Sequence, residues 1–163
     1  MEYVEDSLTV SYILETLREL SQTPGKIYYY GKNSIDYSFN FQEKCTLEEI
    51  GKFEKSIGHP LHDDYKQFLR ETNGLYLSTL AVSYLPGIDF ILHIREVFDM
   101  YPKNLIVVAL LYDGDAHALL DLEASANKCM YIQDPIHMDE PMKKLNCSFT
   151  EFLHRFVSSY GVL

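Results

Sequence analysis

Residues 46–58 read TLEEIGKFEKSIG and carry the clearest local structural signals in the chain. Thr46 stands three residues before Glu49, which is the spacing of a capping box in which each side chain binds the other residue's backbone N–H. Apolar residues recur at helical spacing as far as Ile57, and Gly58 can adopt the left-handed conformation that ends a helix. The stretch therefore predicts an amphipathic helix.

A second helix is expected directly after the first. A short turn, residues 59–62, leads to Asp63 and Asp64, whose carboxylates are favoured at a helix amino end. The pair Asn73-Gly74 ends this helix because both residues favour turn conformations. We expect the apolar faces of the two helices to pack on a sheet as one core, which consists of Leu47, Ile50, Phe53, Ile57, Tyr65, Phe68 and Leu69.

The residues before this pair predict a further helix and a hairpin. The helix covers residues 7–21, and its apolar stripe consists of Leu8, Tyr12, Ile13, Leu17 and Leu20. A hairpin follows, because residues 27–30 and the alternating apolar residues of segment 35–41 flank the turn-prone segment 31–34.

From residue 75 onward the pattern changes to extended runs, over residues 75–85, 88–94, 105–112, 117–122 and 128–133. The pattern also allows a brief helix over residues 95–100. A final helix begins at Ser148, which forms a capping box with Glu151. Sequential short strands imply mostly antiparallel neighbours. The predicted fold class is α+β, with an antiparallel or mixed central sheet and helices at the amino end, mid-chain and the carboxyl end.

Composition restricts the classes of function. The chain has 163 residues, 47% of them hydrophobic, which suits a single domain over residues 1–163. Its formal charge of −10 repels phosphate backbones and anionic lipid, so we expect neither nucleic acid nor a membrane as partner. The sequence contains no apolar run of about 18 residues, and its acidic amino terminus does not resemble a secretory signal. These patterns predict a cytoplasmic protein.

Sequence motifs favour a protein without catalytic chemistry. The chain has no GxSxG, HExxH, P-loop, GxGxxG or EF-hand pattern. Cys45, Cys129 and Cys147 lack CxxC spacing, so we expect reduced, partly buried thiols rather than a disulfide framework or a zinc site. We expect no catalytic residue and no cofactor.

The strongest metal-like cluster consists of His59, His62, Asp63 and Asp64. These residues occupy a proline-containing turn and a helix start, positions at which a structural role is more common than metal binding. Residues 113–117 also contain possible ligand or acid–base side chains. An Asp-Gly turn between two apolar strands is an ordinary hairpin connection, and this structural role explains the segment. We therefore expect no bound metal.

Negative charge is concentrated in one window of the sequence. Between residues 110 and 140, seven carboxylates face a single lysine, so this window holds six of the ten net negative charges. The acids are Asp113, Asp115, Asp121, Glu123, Asp134, Asp139 and Glu140. Such a window is either solvated surface or a face that steers a basic protein into contact. For a binding face, Tyr112 and Tyr131 are the candidate central residues, because aromatic anchors supply most binding energy.

Several of these segments together resemble one known family. Residues 46–58, residues 61–69 and the pair Asn73-Gly74 resemble the signature of the SUKH superfamily, or SMI/KNR-like domain. The motif residues are Glu49, Phe53, Glu54, Gly58, Leu61, Asp64, Tyr65, Phe68, Leu69, Asn73 and Gly74. Later landmarks, at residues 112–115, 130–134 and 148–153, follow in the family order. The resemblance covers about residues 45–160 and leaves residues 1–44 as an amino-terminal helix and hairpin extension.

The resemblance implies a binding protein and not an enzyme. Members of this superfamily are mostly bacterial immunity proteins that neutralise a cognate toxin, often one that acts on nucleic acid. The implied partner is a basic toxin protein, since a nuclease needs cationic surface to hold nucleic acid. One alternative is a regulatory adaptor of the same fold. A second alternative is a small enzyme or ligand-binding domain that uses residues 59–64 or a tyrosine-lined pocket.

Overall fold

The computed structural model describes residues 8–21, 28–30, 33–35, 38–78 and 82–158. Within these ranges the chain forms five helices. They are α1 (Val10–Ser21), α2 (Leu47–Ile57), α3 (Asp63–Glu71), α4 (Ile88–Phe98) and α5 (Phe149–Ser158). None of the helices in these ranges is both long enough and apolar enough to cross a membrane.

The strands form two antiparallel sheets. A small hairpin contains β1 (Tyr28–Tyr30) and β2 (Asn33–Ile35). The main sheet contains, in spatial order, β3 (Ser38–Phe41), β4 (Leu75–Ser78), β5 (Val82–Leu85), β6 (Leu105–Leu111), β7 (Ala116–Asp121), β8 (Met130–Gln133) and β9 (Lys143–Lys144). Each strand of the main sheet pairs with its sequence neighbour. The predicted α+β class and the predicted antiparallel pairing are both confirmed.

The larger core lies on one face of the main sheet, where the inward residues of β6 to β8 meet α1, α2, α3 and α5. Its centre is an aromatic cluster that joins α3 to α5. The ring of Phe149 packs edge-on against Tyr65 and Phe68, with ring centroids 4.8 Å and 5.4 Å apart. A smaller cluster on the other face contains Ile94 and Leu119, so the sheet is covered on both faces in this region.

The predicted core is confirmed except at one position. Six of the seven residues named from the sequence are buried, from Ile50 on α2 to Leu69 on α3. Leu47 is 69% exposed, because α2 begins beyond the edge of the core and its first residue lies in solvent. The stripe predicted for α1 was similarly wrong at Tyr12, which is exposed, while Leu14 is buried instead.

The prediction was wrong for residues 88–100. A strand followed by a brief helix was expected there, but the chain forms α4 over Ile88–Phe98. The residues just before α4 offer no side chain that caps its amino end. Asn73 provides the cap instead, because the N–H of Ile88 donates to Asn73 Oδ1 at 2.9 Å. A Cβ on Gly87 would lie 2.8 Å from the Asn73 carbonyl oxygen, so only glycine permits this approach.

Two strand boundaries also differ from the prediction. The expected second strand over residues 35–41 is divided between β2 and β3, which belong to different sheets, and β3 pairs with β4. The expected run over residues 75–85 is a hairpin of β4 and β5. Strand β9 was not predicted, because two lysines show no apolar alternation. Part of the predicted 31–34 turn and residues 1–7 lie outside the described residues.

Candidate partner-binding surface

The predicted binding residues Asp113 and Asp115 lie in the turn between β6 and β7. Tyr112, Asp113 and Gly114 all adopt positive φ, at 51°, 60° and 95°. The turn is attached to the sheet, because the N–H of Tyr112 donates to the buried Ser83 hydroxyl at 3.1 Å. Both carboxylates are exposed at this end of the sheet.

Three more predicted acids lie in the β8–β9 loop, which we define as residues 134–142. His117 on β7 pairs with Gln133 on β8, so the chain leaves β8 at the end of the sheet where it enters β7. Because neighbouring strands are about 4.8 Å apart, the β8–β9 loop and the β6–β7 turn are adjacent. We call their acids the acidic end of the sheet, which consists of Asp113, Asp115, Asp134, Asp139 and Glu140.

The β8–β9 loop is held from within by one buried side chain. Gln133 is 4% exposed, and its Nε2 lies 3.1, 3.0 and 3.4 Å from the carbonyl oxygens of Asp134, His137 and Glu140. The Asp134 carboxylate accepts the N–H of Ile136 at 2.8 Å and contacts His137 Nδ1 at 2.7 Å. This contact lowers the pKa of Asp134 and raises the pKa of His137, so the pair favours its charged form.

The other two acids lie at the opposite end of β7. Strand β7 spans six residues, so Asp121 is about 17 Å from the start of the strand. Its Oδ1 accepts hydrogen bonds from Asn104 Nδ2 at 2.9 Å and from the N–H of Glu123 at 3.0 Å. The structure therefore divides the seven predicted acids into two groups and does not gather them on one face.

The turn at residues 59–62 contacts this second group. His59 Nε2 lies 3.0 Å from Glu123 Oε1, and this hydrogen bond raises the pKa of His59. His62 Nε2 lies 2.8 Å from the carbonyl oxygen of Asp121. In the described ranges, no group of three or more His, Cys, Asp or Glu side chains is placed to hold a metal ion. The two histidines of the metal-like cluster join the α2–α3 turn to Asp121 and Glu123.

The tyrosines predicted as central binding residues are both half-buried. Tyr112 packs against the main core, and Tyr131 lies on the opposite face of the sheet. The Nζ atom of Lys144 lies 5.9 Å from the ring centroid of Tyr131, so the lysine covers part of that ring. Sequence reasoning missed a more exposed group in the β8–β9 loop, where Ile136 and Met138 point into solvent. The sequence feature that could have identified them is the presence of apolar residues in an acidic, proline-containing segment whose apolar positions follow neither helical nor strand spacing.

A buried polar pair lies close to the β8–β9 loop. The hydroxyl of Tyr101 lies 2.8 Å from Nδ1 of His117, which is 8% exposed. Burial lowers the pKa of His117, and burial with the nearby Asp134 charge raises the pKa of Tyr101 to about 12. Both side chains are therefore neutral near pH 7.

This pair predicts a pH dependence of stability. Because folding lowers the pKa of His117 below its ordinary value of 6.5, the unfolded chain binds this proton more readily as the pH falls. The variant His117→Asn keeps an acceptor for Tyr101 and removes the titration. We expect the free energy of unfolding of the wild type to fall relative to that of the variant between pH 7 and about pH 5, measured by urea unfolding. A constant difference across this range would contradict the assignment.

The three cysteines are free and buried. Burial raises the pKa of Cys45 to about 11, the pKa of Cys129 to about 12, and the pKa of Cys147 above its usual value. Thiols with raised pKa values stay protonated at neutral pH, whereas nucleophilic catalysis needs a thiolate. The prediction of reduced, buried thiols is confirmed for these residues.

An open cleft of about 1100 Å³ lies between the amino ends of α3 and α5. Its lining includes Asp64 and Thr150, which are already bonded to each other, since Asp64 Oδ2 accepts the N–H and hydroxyl of Thr150 at 2.9 and 3.1 Å. Leu8 also lines the cleft and directly follows residues outside the described ranges. Two of the charged residues that line the cleft, Asp64 and Glu151, thus serve to cap α5.

The family-motif residues build the scaffold and do not form a site. Phe53, Leu61, Tyr65, Phe68 and Leu69 are buried in the main core.

Most of the other motif residues cap or end helices. Glu49 completes the capping box of α2 and Gly58 ends this helix at φ 74°. Glu54 accepts the N–H of Leu61 at 2.8 Å, Asp64 caps α5, and Asn73 caps α4. Gly74 has φ 113°, and a Cβ there would lie 3.0 Å from the Leu85 carbonyl oxygen.

The chain belongs to the SMI1 / KNR4 family (SUKH-1), whose model matches residues 44–155. This match confirms the family predicted from the motif residues, and proteins of this family are commonly immunity proteins. The chain is also similar to YnaB of Bacillus subtilis (strain 168), an uncharacterized protein. The two are 27% identical over 129 residues, which cover 77% of this chain and 85% of YnaB.

Proposed function

We propose that this protein is an immunity protein that neutralises a basic cognate toxin by binding it through the acidic end of the sheet. The observation that supports the proposal is the convergence of five carboxylates on two adjacent loops, although they are up to 27 residues apart in the sequence. Family membership supports the same function, because immunity proteins are common in this family.

The charge of the surface fits a nucleic-acid-targeting toxin. Such a toxin holds its substrate with lysine and arginine, so an acidic protein can occupy the same surface and exclude the nucleic acid. At physiological salt the attraction of these carboxylates for a cationic surface extends over roughly 8 Å. Complementary charge raises the association rate and disfavours wrong partners, while buried contacts determine the dissociation rate.

The proposal is tested by charge reversal at the acidic end. The variant Asp113→Lys/Asp115→Lys/Glu140→Lys is expected to bind the toxin at least about tenfold more slowly at low salt, with a weaker salt dependence. Its thermal unfolding midpoint should fall only slightly, because these side chains are exposed but Asp113 has φ 60°, where lysine is less favourable than aspartate. The control variant Glu15→Lys/Glu43→Lys/Glu96→Lys has the same net charge and changes exposed residues elsewhere, so its association rate should fall much less.

Where a large protein is encoded next to this gene, its carboxyl-terminal domain is the probe, used as a catalytically inactive variant for binding kinetics. The active domain is expressed in a test host with and without the immunity protein, and co-expression should restore growth. A complete failure to bind or to protect would refute the proposed function. If the wild type and the acidic-end variant protect equally and bind at equal rates, the toxin is recognised by another surface of the protein.

A further inference from the structure

The β8–β9 loop exposes an unusual amount of apolar surface for a segment so rich in acids. Ile136 is 76% exposed, and Met138 and Met142 are 41% and 36% exposed. Single exposed apolar residues are common on protein surfaces, but this loop exposes three within nine residues, which we call the exposed cluster. Asp134, Asp139 and Glu140 lie in the same loop, so carboxylates flank the exposed apolar side chains along the chain.

The exposed cluster is carried by a loop with many internal bonds. Two consecutive turns are closed by N–H donation from His137 to Asp134 and from Glu140 to His137, at 3.2 and 3.1 Å. The Gln133 amide lies beneath both turns and contacts three of their carbonyl oxygens. Pro135 and Pro141 further restrict the backbone. These contacts hold Ile136 at a defined position in the free protein.

A preformed apolar projection flanked by carboxylates has the anatomy of a binding hot spot. Residues that contribute most to affinity are central, fully desolvated in the complex and surrounded by contacts that exclude water, and methionine is enriched at interfaces. A loop that is ordered before binding loses little conformational entropy in the complex. The flanking carboxylates fit a partner whose apolar pocket is bordered by lysine or arginine, which is the charge expected for a toxin that binds nucleic acid.

We propose that Ile136, supported by Met138, is the anchor that enters an apolar pocket on a cationic protein partner, and that Gln133 is the positioning residue that holds the anchor in place. This inference rests on the proposed function and deepens it. The flanking carboxylates accelerate encounter, whereas the anchor determines how long the complex lasts.

The inference is tested with the inactive toxin domain described above and two substitutions. Ile136→Ser should raise the dissociation rate constant about 30-fold or more and change the association rate constant less than about threefold, as expected for a central apolar contact. Gln133→Met keeps a side chain of similar length without its donors. It should weaken binding about tenfold and speed hydrogen exchange at residues 134–140 of the free protein. Leu47→Ser is the control, because Leu47 is equally exposed but lies on α2.

The outcomes separate this inference from the proposed function. Unchanged dissociation of Ile136→Ser, together with slower association of the acidic-end variant, would refute the anchor and leave the proposed function intact. Failure of the wild type to bind the toxin domain would refute both. Self-association of the wild type that Ile136→Ser abolishes would show that a second copy of this chain occupies the loop, and would also refute the inference. Faster exchange in Gln133→Met with unchanged affinity would refute the positioning role.

Discussion

Truncation of Phe68 to alanine is expected to lower the free energy of unfolding by about 3–5 kcal/mol, which corresponds to a fall in melting temperature of roughly 6–20 °C. The ring of Phe68 is fully buried and packs against both Tyr65 and Phe149, with centroid distances of 6.0 and 5.4 Å. Its removal leaves a cavity where α3 joins α5. Urea unfolding and calorimetry measure the effect.

Two further variants make this result specific. Leu47→Ala changes a residue that sequence alone placed in the same core, but its exposure predicts a change within about 0.5 kcal/mol. Tyr65→Phe keeps the buried ring and removes a hydroxyl that has no hydrogen-bond partner among the described residues, so it should not destabilise the protein. Equal losses for Phe68→Ala and Leu47→Ala would show that the core is assigned incorrectly.

Replacement of Asp64 by alanine is expected to cost about 1.5–3 kcal/mol, the usual range for hydrogen bonds to a charged group. Its carboxylate accepts the N–H and the hydroxyl of Thr150, in the first turn of α5, and the N–H of Tyr65. Without it, the amino end of α5 has a part-buried donor without an acceptor. Hydrogen exchange at residues 149–153 should accelerate, and the urea midpoint should fall.

The matched control is Asp64→Asn, which keeps one oxygen acceptor and loses the negative charge that is favourable at a helix amino end. It should cost clearly less than Asp64→Ala. A comparison with Asp63→Ala isolates the role of Asp64 in capping α5, because Asp63 lies beside Asp64 at the start of α3 and is exposed. If Asp63→Ala and Asp64→Ala destabilise the protein equally, the effect comes from α3 itself and not from its contact with α5.

The candidate surface shows a limit of sequence reasoning about sites. The sequence correctly showed that carboxylates are concentrated between residues 110 and 140, but it could not show that Asp121 and Glu123 lie at the other end of β7. Residues two apart lie on the same side of a strand, and this pattern can be read from the sequence. The sequence does not show at which end of the sheet each loop lies, because that depends on how neighbouring strands pair. Exposure of Ile136 likewise depends on the Gln133 contacts that shape its loop.

Local signals in the sequence by themselves determined where α2 and α5 begin. The capping boxes at Thr46 and Ser148 bond backbone groups within three residues of each cap, so both helices begin where the pattern predicts, and at α5 the distant Asp64 adds a further acceptor. The motif residues identified the family because they lie within one short stretch, where they bury the apolar faces of α2 and α3 or end and cap helices.

Only the tertiary structure decided the elements whose backbone groups are satisfied from far away. Helix α4 depends on Asn73, fifteen residues earlier, for the cap at Ile88, and the short strands β2 and β3 are separated by their pairing partners. A polar backbone group must find an acceptor or donor, but an isolated sequence does not reveal which remote residue provides it. The acidic end of the sheet arises in the same way, from strand pairing that brings two distant loops together.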